Sequence, residues 1–334
     1  MFKPVYRITE YFLECIENIA ALQAQIAQTR LRLPALLRLQ EEAFQRNVHS
    51  STLIEGNELS LRQVADLSRR RDVRADERQK REVKNYIQAL RWTLRQAKKP
   101  LRERDLLHLH GLITRGLVEA GRSGKYRRVQ NYVVDGQKRV VYRPPAPAAV
   151  PRLMRDLFAW LGREQRINAV AASAIFHHQF VAIHPFADGN GRVARAAGLW
   201  VLYQKQYDPL HILALDDYFA EDRKQYYLKI RQVRELDGDL TYWLDYVAKG
   251  VAASMEKALT HIRQLAISPK QDVVLSLKQE ELLRFLKQNA GCGSKEIGAA
   301  LKINRARVNQ LIAPLVKAGI VRVEGKARTT KYTL

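Results

Sequence analysis

The sequence predicts a mainly α protein, a helical bundle carrying one β-hairpin flap, followed by a small C-terminal winged helix-turn-helix unit. Three observations predict it. Apolar residues recur at heptad-like spacing through 8–31, 36–54 and 83–94, so the first hundred residues read as helices. Strand-like alternation is confined to one glycine-bracketed stretch in mid-chain and to the tail. Near Ser268 and Pro269 the helical pattern resets, and the residues beyond have their own caps and turns.

The elements follow in order. Gly121, Gly124 and Gly136 bracket 126–134, and Val140–Tyr142 then runs into Pro144, Pro145 and Pro147, a hairpin closed by a proline stop. Helical spacing returns over 150–160, Ala169–Ile183, 192–204, 223–236 and 242–265. Beyond the reset, a helix over 278–289 precedes Ser294 as N-cap of a helix to Leu301. Asn304 caps another to Ala318, which Gly319 ends, and two short strands flank Glu324, Gly325 and Lys326.

With 334 residues the chain has room for two or three domains, and 46% hydrophobic with 27% charged residues describes a soluble globular protein. Cys15 and Cys292 are too few for a disulfide framework. The first twenty residues lack the basic and apolar regions of a signal peptide. The longest apolar stretch, Ala169–Ile183, is interrupted by His177, His178 and Gln179, which indicates a core helix over a membrane span. A cytoplasmic protein without a membrane partner is expected. The net charge of +23 points to phosphate-bearing partners. The densest basic run, 69–81, includes Asp72, Asp76 and Glu77 and reads as a solvated helix face laced with ion pairs.

The chemistry concentrates in HPFADGNGRVAR, residues 184–195, between two helical segments. His184 can take a proton from a hydroxyl at physiological pH, which makes it the candidate general base. Pro185 stops the preceding helix and Phe186 can bury its ring to fix the loop. Asp188 offers a hard oxygen for Mg²⁺ bridging two nucleotide phosphates. Gly189, Asn190 and Gly191 let the backbone curl so that successive N–H groups face one anion-binding hollow, at the start of a helix whose dipole adds to it. Arg192 and Arg195 share a face of that helix and can clamp the outer phosphates.

These residues resemble the Fic family, whose signature HPFx(D/E)GNGRxxR is met at every defined position. The resemblance implies transfer of AMP from Mg-ATP to a Ser, Thr or Tyr hydroxyl of a protein target, with pyrophosphate released. It implies His184 as base, Asp188 on Mg²⁺, Gly189–Gly191 and Arg192 on phosphates, and Arg195 at the γ-phosphate. GKYRRVQNYVV, with the later YRPPAP, is similar to the family's flap, spanning 121–145, where Tyr132, Val133 and Val134 would dock a target segment by strand addition. The segment starting at Arg223 resembles the family's stretch in which a tyrosine, here Tyr227, lies against adenine.

SSTLIEGNELS contains Ser51, Glu55 and Gly56 in the pattern (S/T)xxxE(G/N). Ser51 and Glu55 share a helix face. Beside the signature, the pattern resembles the family's inhibitory helix, expected around 43–56, whose glutamate pairs with the second signature arginine, Arg195. The resulting expectation is an autoinhibited adenylyltransferase with a helical region over 1–100, a catalytic core over 101–267 and a winged helix over 268–334. Removal of AMP by a water that Glu55 positions is an alternative. So is a DNA-binding regulator contacting DNA through 304–331, where Asn304, Arg305, Arg307 and Asn309 start a recognition helix. Gly191 argues against relatives that phosphorylate with the nucleotide reversed; UTP or a choline-bearing nucleotide in place of ATP, and a homodimer, stay open.

Overall fold

Thr9 starts the first helix, α1 (Glu10–Gln28), by accepting the Phe12 N–H on its hydroxyl; Phe12, Cys15, Ile19, Leu22 and Ile26 are buried at alternating steps of three and four, the stripe of an amphipathic helix. α2 (Leu33–Ile54) is longer than expected for the inhibitory segment and ends one residue before Glu55. α3 (Leu61–Ser68) opens on a reciprocal cap between Ser60 and Gln63, and α4 (Glu77–Gln96) on Asp76. α5 (Glu103–Ile113) follows, and then β1 (Val133–Val134) pairs antiparallel with β2 (Val140–Tyr142). α6 (Val150–Arg163), α7 (Ala169–Ile183), α8 (Asn190–Gln204), α9 (Leu215–Glu221), α10 (Arg223–Glu235) and α11 (Thr241–Ile267) complete the body. The tail forms α12 (Leu277–Gln288), α13 (Ser294–Leu301), α14 (Arg305–Lys317) and the antiparallel pair β3 (Arg322–Glu324) and β4 (Lys331–Thr333).

This computed structural model describes residues 1–29, 33–134, 137, 139–164, 166–208, 210–267, 275–325 and 330–334. Gly136 of the hairpin, Ser268 and Pro269 of the reset, and Lys326 of the final turn lie outside them.

α7 and α8 form the centre of the body. Both are buried on nearly every side, which is why α7 is apolar all round. The polar side chains of α7 are matched inside: His177 Nε2 meets the Tyr226 hydroxyl at 2.9 Å and His178 Nε2 the Ile230 carbonyl at 3.1 Å. α1 packs along α11, while α2 crosses the body between α4 and α9 and reaches α8. A second hydrophobic cluster joins Leu282, Leu286, Ile297, Val308, Leu311 and Leu315 of the tail, and Leu37 of α2 belongs to it. Thus α2 is held at one end by the winged unit and at the other by the helical body.

Three helices departed from the sequence expectation by being unforeseen: α3, α5 and α9 have 8, 11 and 7 residues, too short for periodicity to register. The basic run 69–81 is a loop leading into α4, not one helix face, although ion pairs do fill it: Arg71 reaches Asp66 and Glu324, and Lys80 reaches Asp72 and Glu77. Asn304 caps α14 as expected, whereas Ser294 is the first residue of α13 and Gly293 its N-cap.

Candidate active site

α7 ends at His184, whose backbone turns left-handed (φ 51°) while its N–H still bonds to Phe180 O. Asn190 clips the loop beyond it: Oδ1 accepts the Phe186 N–H at 3.0 Å and Nδ2 donates to the Phe186 carbonyl at 2.9 Å. The Phe186 ring is fully buried and stacks on His110 of α5, centroids 3.7 Å apart. His110 Nδ1 accepts the Gly124 N–H, so its Nε2 carries the proton and donates to Asp188 O at 3.1 Å. Arg127 fastens the flap to the same loop: its N–H bonds to Pro185 O and its Nε to His184 O, both at 2.9 Å, and Nη2 reaches Pro145 O. Asn131 Nδ2 adds a bond to Phe186 O. The loop is over-determined from three sides.

The His184 imidazole therefore stands in a fixed place. Its Nδ1 is buried without a partner among the described residues. Burial pulls its pKa down to about 4, opposed first by a hydrogen bond to the Val181 backbone and then by the charges of Glu55 and Asp188. The ring is neutral at pH 7 and can accept a proton.

Past Asp188, Gly189 adopts φ 79°, a left-handed conformation that a side chain would strain, and α8 begins at Asn190, two residues before the expected start. The Gly189 N–H bonds to Asp188 Oδ1, which also lies 3.4 Å from Arg192 Nη2. Arg192 is buried and paired with Glu82 of α4. Asp188 Oδ2 has no partner among the described residues, and no group of three or more His, Cys, Asp or Glu there could hold a metal. One free carboxylate oxygen suits a cation such as Mg²⁺ that draws its other ligands from phosphates and water.

Arg195, one turn further along α8, is buried to 2% exposure and points at the end of α2. Its Nε donates to Ser51 Oγ at 2.8 Å, and its Nη2 donates to Ser51 O at 2.8 Å and to Glu55 Oε1 at 2.7 Å. A Cβ built on Gly191 would overlap Glu55 Oε1, so the carboxylate lies directly on the glycine of the turn. Burial works against the charge on Glu55, but Arg195, Arg192 and Arg223 outweigh it and hold the carboxyl below its usual range. Behind Arg195 sits Asp216, fully buried beside Tyr86, its pKa raised to about 6 by burial despite Arg195.

The structure thus gathers His184, Asp188, Gly189, Asn190, Gly191, Arg192, Arg195, Ser51 and Glu55 at one place. Gly56, left-handed at φ 95°, turns the chain away just after Glu55. Tyr227 is half exposed, its hydroxyl 3.3 Å from Ile54 O, whereas its neighbour Tyr226 is the core residue. On the flap, Tyr132 and Val134 are exposed and Val133 pairs with Tyr142. Sequence reasoning missed Glu82, His110, Arg127, Asn131 and Asp216. No local pattern marks them, because each reaches the loop, Arg192 or Arg195 from another element.

Residues 100–202 match the family model described as Fic/DOC family, and residues 275–322 match the one described as winged helix-turn-helix DNA-binding. The chain is 29% identical over 222 residues to a protein adenylyltransferase Fic of Drosophila grimshawi, covering 64% of this chain and 42% of that protein. It is 31% identical over 231 residues to protein adenylyltransferase fic-1 of Caenorhabditis elegans, covering 67% and 42%. It spans about two fifths of the length of these curated relatives. Among solved structures, a Fic family protein from Desulfovibrio desulfuricans G20 superposes with a TM-score of 0.69 at 25% identity, over 100% of this chain and 98% of that one.

Proposed function

We propose, from the premise that this chain is a Fic/DOC-family protein with its family domain at residues 100–202, that it transfers AMP from ATP to a hydroxyl of a protein target. The observation that carries the reading is the neutral His184 held in one rigid loop with the anion-binding turn Gly189–Gly191 at the head of α8. A triphosphate would lie with its charge on the turn N–H groups, Arg192 and Arg195. His184 removes the target hydroxyl proton as the oxygen bonds to the α-phosphorus, and the bond to the β-phosphate oxygen breaks to release pyrophosphate. Negative charge in the hollow raises the His184 pKa from its low starting value and so favours that proton transfer. Asp188 would hold Mg²⁺, which supplies charge neutralisation between phosphates. Tyr227 of α10, whose hydroxyl reaches the end of α2 at Ile54 O, is proposed to flank the base, and Tyr132, Val133 and Val134 to offer an edge to an extended target segment.

Glu55 supports a brake in this reading. Its carboxylate occupies the surface of Gly191 and engages Arg195, two of the groups that the outer phosphates need. The proposed units are a helical region over 1–100, a catalytic core over 101–267 and a winged unit over 268–334, in the cytoplasm. The test is intact-mass analysis after incubation with Mg-ATP. Glu55→Gly should gain AMP adducts that the Glu55→Gly/His184→Ala double variant lacks; equal labelling of the two would remove His184 from the chemistry.

A second reading is favoured by α14, on which Asn304, Arg305, Arg307 and Asn309 are all exposed at the first turns, the end that a recognition helix presents to the major groove. The winged unit would then bind DNA. Salt-sensitive gel shifts by the full chain, reduced by Arg305→Ala and Arg307→Ala, would support it, and binding indifferent to those changes would end it.

A further inference from the structure

Where α2 leaves the winged unit for the body, a cavity of about 240 Å³ opens between α2, α4, the end of α8 and α12. It is smaller than the pockets of drug-sized ligands, which run to roughly 300–1,000 Å³. Phe44, Leu90, Leu94 and Tyr203 make an apolar wall, and Arg91, Arg95 and Lys287 line it against the single carboxylate of Glu41, a local excess of two positive charges. Arg91 and Arg95 are one turn apart on α4, a like-charged pair on one face, which costs helix stability rather than adding to it.

Among the described residues none of the three cations has a carboxylate within 4.0 Å. Arg91 donates to Ser68 O and lies over the Phe44 ring, and Lys287 donates to the neutral Gln40 side chain. The Glu41 carboxylate is itself engaged by Gln45 and Ser68. His211, across the cavity, keeps Nδ1 buried with no partner among the described residues. Three cations and an unsatisfied imidazole nitrogen converge on apolar walls, met only at longer range by the charges of Glu41 and, for Lys287, of Asp208, which the Leu213 and Ile212 N–H groups already engage.

We propose that this cavity is a binding site for a small phosphate-bearing anion, separate from the Gly189–Gly191 hollow. Guanidinium groups match phosphate oxygens in pairs, Lys287 adds a point charge, and the apolar wall lowers the local dielectric and strengthens each contact. Burial draws the Lys287 pKa down to about 8, opposed by the charges of Glu41 and Asp208, neither of which is within ion-pair distance of the ammonium. Seated there, the anion touches Gln40, Glu41, Phe44 and Asn47 of α2 and Lys287 of α12, so it bridges the winged unit to the helix that precedes Glu55. The proposal does not depend on AMP transfer.

The test is isothermal titration of the full chain with inorganic pyrophosphate, in parallel with Lys287→Gln, Arg95→Gln and Lys287→Arg. Lys287→Gln and Arg95→Gln are expected to weaken binding at least about 10-fold each, and Lys287→Arg to retain it. Binding equally tight in both glutamine variants would assign it to the signature loop, and no binding by the wild type would mean that the cavity takes no such anion; either overturns the proposal. Arg95 is at the exposed rim, so its variant keeps the test decisive should Lys287→Gln fold poorly.

Discussion

Glu55 and Gly191 are in direct contact: the carboxylate oxygen that accepts the Arg195 Nη2 proton at 2.7 Å also fills the space that a Cβ at position 191 would need. The glycine of the anion-binding turn is therefore also the seat of the proposed brake. A carboxylate and a phosphate oxygen both want the same donors, and only one can lie on that surface.

Gly191→Ala should destabilise the wild type, because Glu55 must shift from its ion pair with the buried Arg195. In a Glu55→Gly background the cost should be smaller, because only Arg195 Nη1, 3.1 Å from such a Cβ, must still give way and the helix propensity of Ala over Gly offsets up to about 1 kcal/mol. Urea unfolding of the four proteins gives the coupling. Equal costs in both backgrounds would mean that Glu55 does not occupy the turn in solution.

Glu55→Gly should raise AMP transfer from α-labelled ATP by at least about 10-fold, equivalent to about 1.4 kcal/mol of lost restraint. No rise over wild type would remove Glu55 as a brake.

Arg127→Ala should cut activity and free the flap. It removes side-chain bonds to three carbonyls, those of His184, Val129 and Pro145, for a predicted loss of about 2–3 kcal/mol. Limited proteolysis should cut near the flap faster than in wild type, while Arg127→Lys, lacking the planar fork, should restore little. A flap as resistant as before would sink this assignment.

Stability should fall on acidification from about pH 6.5 toward pH 4. His110, His178, His184 and His211 have folded pKa values near 4, each lowered first by burial, so the unfolded chain takes up protons below 6.5 that the folded chain refuses. Asp208 and Asp216, raised by burial to about 6, act in the opposite sense between about 6 and 4 but are outnumbered. Unfolding free energies from urea titrations at pH 7.5 and pH 5 should differ by a few kcal/mol in favour of the higher pH. A pH-independent midpoint would contradict neutral burial of these rings.

The sequence by itself determined the helical class, the hairpin, the winged unit and the twelve-residue signature from His184 to Arg195, because these depend on contacts within a few residues: helical periods, caps, a proline stop and a glycine turn. It also pointed to Ser51 and Glu55, though only through the company of a second motif. Tertiary structure alone decided that Arg195 spends its hydrogen bonds on residues 140 or more positions away, that His110 and Arg127 lock the loop, and that Asp216 lies behind Arg195. Those partners come from four separate segments, and burial excludes the water that would otherwise satisfy their polar groups. Which groups meet inside the core is settled by how whole helices pack, a property no local stretch of residues contains.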